Sequence, residues 1–109
     1  MQSSTAKTLS WESVQAVALE RLRHLIKMDT TNPPGNELPA VKYLADVLDR
    51  HGIPWEMVEP APGRASIVAR LNGDGTGGGP LLLTSHLDVV EATASDWRYP
   101  PFGAEVGDG

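Results

Sequence analysis

The sequence predicts an α/β layer architecture, in which two helices are followed by three strands of a mostly parallel or mixed sheet. Three observations lead there: two segments with apolar residues at helical spacing, three short β-rich runs bounded by Pro or Gly, and a last run that is apolar without alternation. The last is the pattern of a central strand covered on both faces. At 109 residues the chain can hold one domain at most.

The first helix begins at Trp11. Val14, Val17, Ala18, Leu22, Leu25 and Ile26 recur at spacings of three and four and define one apolar face, with Glu20, Arg21, Arg23 and Lys27 largely on the other. Ser10 is placed to cap it, Glu12 suits the positive end of the helix dipole, and Lys27 suits the negative end. Residues 29–35, Asp-Thr-Thr-Asn-Pro-Pro-Gly, then break the periodicity: two prolines and a glycine cannot continue a helix, and Asn32 before Pro33 is driven toward extended geometry. Asn36 is a candidate cap for a second helix with Glu37 and Pro39 in its first turn. Val41, Leu44, Ala45 and Leu48 form its buried stripe, and Gly52 and Pro54 end it.

Residues 53–58, 65–71 and 81–84 read as the three strands. Between the second and third lies a glycine-rich stretch, residues 72–80, containing a literal G-x-G-x-x-G at Gly73, Gly75 and Gly78. That motif holds pyrophosphate by opening a helix, whereas Pro80 and an apolar run follow here, so a surface turn is expected and nucleotide binding is not.

Lys+Arg 9 against Asp+Glu 14 gives a net charge of -5, without the basic excess that draws a chain onto nucleic acid or anionic membranes. The 40% hydrophobic content is enough for a globular core, and with no cysteine there is neither a disulfide framework nor a thiolate metal site. The polar opening lacks the apolar core of a signal peptide, and no stretch approaches the roughly 20 apolar residues of a membrane span, so a cytoplasmic location is the default expectation.

Titratable groups suited to catalysis concentrate where the apolar run ends, at residues 81–90, Leu-Leu-Leu-Thr-Ser-His-Leu-Asp-Val-Val. In extended geometry His86 and Asp88 project to the same side and Leu87 to the other. A carboxylate beside an imidazole can orient a metal-binding histidine, or both groups can reach one ion, with zinc the best match and manganese or cobalt as alternatives. A purely structural His86–Asp88 hydrogen-bonded pair has the same spacing. Ser85 is no nucleophile for His86, because adjacent strand residues face opposite ways. His24 and His51 read as solvated or partly packed helix residues, and Glu91 and Asp96 as solvated loop charges. Trp97, Tyr99 and Phe102, with Pro100 and Pro101, make a stiff loop suited to packing beneath the site.

Taken in order, residues 30–37 (Thr-Thr-Asn-Pro-Pro-Gly-Asn-Glu), residues 82–90, Trp97 with Pro101-Phe102, and Gly107-Asp108-Gly109 resemble the opening of metallopeptidase family twenty. This group comprises aminoacylases, zinc carboxypeptidases, succinyl-diaminopimelate desuccinylase, acetylornithine deacetylase and dipeptidases. The resemblance implies the N-terminal part of a two-metal, aminopeptidase-like catalytic domain, in which two ions, usually zinc, activate a water that attacks an amide carbonyl. It implies His86 as the first metal ligand and Asp88 as the catalytic-site carboxylate that orients it. The substrate implied is a peptide or N-acyl amino acid, and a homodimer is open to the full-length protein.

Family members continue into a Gly-Arg-Gly stretch, a metal-bridging aspartate and a Glu-Glu pair that supplies the general base, none of which lies in these residues. Residues 1–109 are therefore expected to be the N-terminal portion of the catalytic domain, without the lid and inactive alone. The Asp108-Gly109 turn signal with no returning strand agrees with that expectation. A stand-alone, non-catalytic α/β module binding through an uncovered sheet edge is the alternative.

Overall fold

The computed structural model describes residues 8–108. Residues 1–7, the polar opening, and Gly109, half of the expected Asp-Gly turn, lie outside the described residues. The elements run α1 (Trp11–Ile26), α2 (Leu38–Arg50), β1 (Trp55–Ala61), β2 (Arg64–Ala69) and a 3-10 turn at Ala94–Asp96.

Helix α1 starts as its sequence dictates, with the Ser10 hydroxyl accepting from the Ser13 amide at 3.4 Å and Glu12 in the first turn. Its apolar stripe, expected to face a core, is not buried: no residue of α1 is, and Leu22 is 54% exposed. The periodicity predicts the helix correctly, but among the described residues that face is left largely open, with Leu25 half-buried. Polar and aromatic contacts tie α1 to the rest of the chain. Arg23 Nε donates to the Ala104 carbonyl at 2.8 Å, and His24 stacks on Tyr43 of α2 with ring centroids 4.1 Å apart.

Helix α2 holds most of the core. Ala40, Val41 and Ala45 are buried and Val41 is fully so, while Leu44 and Leu48 complete the expected stripe as half-buried neighbours. The cap differs from expectation: Glu37, not Asn36, stands at the N-cap, and its side chain caps nothing. Two features reduce the helix's unpaired amides instead. The Leu38 amide donates to the Gly63 carbonyl at 3.1 Å, and Pro39 has no amide to satisfy.

Strands β1 and β2 form an antiparallel hairpin, with Trp55 opposite Ala69 and Val58 opposite Ser66. The register shifts between Val58 and Ala61, where Pro60 cannot donate to a ladder. Gly63 takes the turn with φ +78, a conformation open to glycine at no steric cost. Helix α2 lies on the hairpin, mainly on β2, where Ala65 is buried; small side chains on both surfaces permit close approach.

The sheet is therefore two-stranded and antiparallel, not the mostly parallel or mixed three-stranded sheet that the sequence predicts. Residues 81–84 form no strand, and Leu81, Leu82 and Leu83 are 83%, 84% and 83% exposed. An apolar run becomes a central strand only when neighbours pair both of its edges, and no strand among the described residues does so. Residues 72–80 are an irregular exposed stretch with no helix after the glycines, as expected of a turn and not of a phosphate cradle. The radius of gyration, 17.5 Å, exceeds the roughly 13 Å of a compact chain this long, in keeping with the exposed α1 face and leucine run. No helix of the described residues is long and apolar enough to cross a membrane.

Candidate functional site

The segment that carries His86 and Asp88 is held by the loop between the helices. Thr31 and Val89 form an isolated parallel bridge, in which the Asn32 amide donates to the Val89 carbonyl at 2.8 Å and the Val89 amide to the Thr30 carbonyl at 3.2 Å. Thr30, 4% exposed, adds a hydroxyl donation to the Leu87 carbonyl at 2.7 Å. Residues 87–89 are thereby tied to the loop between the helices, although they belong to no sheet.

His86 and Asp88 do meet. The imidazole Nδ1 lies 2.7 Å from the Asp88 carbonyl oxygen and 3.1 Å from Asp88 Oδ1. Both partners only accept, so Nδ1 carries the hydrogen, and in the neutral ring the Nε2 lone pair is free. The imidazole is 83% exposed. Asp88 Oδ2 accepts from the Asn32 carboxamide at 2.9 Å. That hydrogen bond, chiefly, holds the Asp88 carboxyl below the ordinary carboxylate range, and the neighbouring imidazole adds to the effect.

An oriented imidazole presenting an unshared pair on Nε2 fits one ligand position of a zinc-type centre, with Asp88 as its outer partner. Among the described residues no three His, Asp or Glu side chains come together as a metal-holding group, so His86 is one donor and not a complete set. Ser85 makes no hydrogen bond to the imidazole among the described residues, in line with the alternation argument. His24 and His51 are exposed, the former stacked on Tyr43 and the latter with Nε2 3.2 Å from Arg21.

Two cavities flank the loop. One, about 380 Å³, is lined by Glu37, Arg64, Ser66, Thr84, His86 and Asp88 among others. The other, about 680 Å³, lies across the loop between Asp29, Thr31, Asn36, Glu91 and Phe102. Phe102 is half-buried there while Trp97 is 58% exposed, so only part of the aromatic loop packs as expected.

Sequence reasoning missed two groups beside the site. Asn32 is read there only for its backbone, yet its side chain holds Asp88. Glu37, buried, accepts at both carboxylate oxygens from Arg64 Nε, at 3.0 and 2.9 Å, and so pins α2 to the start of β2. The one available signal is that Asn32 and Glu37 fall inside the motif already singled out at residues 30–37.

Among known proteins, the chain is 36% identical over 85 residues to a "Probable succinyl-diaminopimelate desuccinylase" of Staphylococcus aureus, a match covering 77% of this chain and 20% of that protein. A protein of the same name from Staphylococcus epidermidis is 34% identical over 89 residues, covering 81% of this chain and 21% of the relative. "Aminoacylase-1" of Dictyostelium discoideum is 28% identical over 82 residues, covering 75% and 20%. The chain thus spans about a fifth of the length of the curated relatives it matches. No family model matches, and no solved structure does.

Proposed function

The chain belongs to metallopeptidase family twenty, and from that premise we propose that residues 1–109 supply the N-terminal portion of the catalytic domain of a metal-dependent hydrolase of amide bonds. The substrate class is an N-acyl amino acid or a peptide, the first being the kind of substrate for which the desuccinylase and aminoacylase relatives are named. The observation that carries this reading is the state of His86: Nδ1 is committed to Asp88, which leaves Nε2 as an oriented ligand. A divalent zinc-type ion bound there would polarise an amide carbonyl and lower the pKa of a bound water.

In this reading His86 is a metal ligand, and Asp88 fixes its tautomer and raises its basicity. The chain contributes one donor of a site that needs several, so the 109 residues alone do not turn over substrate. Arg64, Thr84 and Ser66 line the adjoining cavity and give that side of the centre a polar wall.

A chimera tests the proposal. The 85 matched residues replace their counterpart in the Staphylococcus aureus desuccinylase, and zinc-dependent hydrolysis of an N-succinyl amino acid is measured. Activity is expected in the chimera, with a loss of at least about a hundredfold for His86→Ala and about 10–100-fold for Asp88→Asn. A folded, active chimera indifferent to His86→Ala would refute the assignment.

A further inference from the structure

We propose that Asn32 is a positioning residue for His86, acting through the Asp88 carboxylate. The geometry divides the two oxygens of Asp88 between two partners, with Oδ2 taking the Asn32 carboxamide at 2.9 Å and Oδ1 facing the imidazole Nδ1 at 3.1 Å. A carboxylate held at one oxygen only can turn about its Cβ–Cγ bond and present either oxygen, or neither, to the ring. A second donor on the opposite oxygen removes that freedom.

The need for such a device follows from exposure. At 83% exposed, His86 has little packing to hold its ring, so its orientation rests on what Nδ1 meets, the Asp88 backbone carbonyl at 2.7 Å and the carboxylate Oδ1 at 3.1 Å. Asn32 is itself delivered accurately. Its own amide is tied to the Val89 carbonyl at 2.8 Å, one residue beyond Asp88, and the preceding Thr31 is bridged to Val89. The side chain thus starts from a backbone already registered against the segment it must reach. Because a carboxylate only accepts, it is the carboxamide nitrogen that faces Oδ2, and the amide orientation is settled by chemistry. The proposal rests on the hydrolase reading only for what Nε2 binds; the positioning itself is a property of the metal-free chain.

The test is long-range proton–nitrogen correlation NMR on the ¹⁵N-labelled 109-residue chain without metal, at about pH 8, above the usual imidazole range. In the unsubstituted chain, His86 is expected in the tautomer with hydrogen on Nδ1. In Asn32→Leu, close in shape but without the donor, its nitrogen shifts move toward a mixture of tautomers and Nδ1–H exchanges several-fold faster. Asp88→Asn, which keeps the backbone carbonyl 2.7 Å from Nδ1, gives the effect of losing the carboxylate alone for comparison. The ring-current shift between His24 and Tyr43 reports that the frame is intact. His86 shifts and exchange unchanged in Asn32→Leu, while Asp88→Asn alters them, would overturn the proposal. If Asn32→Leu unfolds, the unsubstituted chain still decides: one Asn32 carboxamide proton should be protected from exchange, a protection lost in Asp88→Ala, which removes the acceptor, and equal exchange of both protons overturns it. An inactive chimera whose His86 keeps the Nδ1–H tautomer would instead count against the hydrolase reading alone.

Discussion

Gly35→Ala is the substitution for which the structure gives the sharpest expectation. Gly35 has φ +89, and a Cβ there would stand 2.8 Å from both Arg64 Cζ and Nε and 2.9 Å from Glu37 Oε1. The backbone cost of holding alanine in the left-handed region is about 1 kcal/mol. The steric cost is not a rigid clash, because the guanidinium ends a flexible side chain and can swing away, but moving it leaves the Glu37 carboxylate without its partner. Glu37 is 7% exposed and Arg64 41%, so the loss lies below that of breaking a fully buried pair and near that of one unsatisfied buried group, about 2 kcal/mol. The sum is about 3 kcal/mol, a large part of the 5–15 kcal/mol that separates typical folded domains from unfolded chains. Urea unfolding followed by tryptophan fluorescence measures it. In a background carrying Glu37→Leu and Arg64→Met the same glycine substitution should cost only the backbone share, about 1 kcal/mol. Equal costs in the two backgrounds would show that Gly35 does not serve the ion pair.

Val41→Ala, at the fully buried centre of α2, should lower stability by about 2 kcal/mol in the same assay. Gly77→Ser with Gly78→Ser, where a new Cβ meets nothing within 4 Å, should change it by less than about 0.5 kcal/mol, and the chain should show no saturable binding of a labelled nucleotide. Asp29 titrates below the ordinary aspartate range, first through the Thr31 hydroxyl and then through the Thr31 amide at 3.0 Å. A lowered folded-state pKa stabilises above the unfolded carboxylate's pKa, and that contribution is lost as pH falls through the folded value. Thr31→Val should therefore be less stable than the parent at neutral pH, the difference closing in acid, and the Asp29 carboxyl should titrate higher by carbon-detected NMR.

What was legible in the sequence was local. The Ser10 cap, the three-and-four spacing of α1 and the stripe through Val41 and Ala45 each concern residues within a turn or two of one another, and both helices follow. The hairpin was legible as two β-rich runs, but its antiparallel sense depends on Gly63 adopting positive φ directly after Pro62. The leucine run at residues 81–83 misled because apolarity records a need for neighbours and does not supply them. His86 and Asp88 were legible because period-two geometry joins them wherever the backbone is extended. Asn32 and Asp88 are 56 residues apart and Glu37 and Arg64 are 27 apart, and no periodicity connects residues at such distances.

The Thr31–Val89 bridge is expected to assemble after the α2–hairpin core. Helix α2 and the hairpin bury Val41 and Ala65 through contacts close in sequence, whereas Thr30 reaches Leu87 across 57 residues and Arg23 reaches Ala104 across 81. Loop-closure entropy makes such distant contacts late to form and early to open. Hydrogen exchange at Asn32 and Val89, whose amides complete the bridge, should then report a local opening well below the free energy of global unfolding. His86 would lose its orientation in that opening while the α2–hairpin core stays intact, so the least durable part of the fold is the part that orients the imidazole.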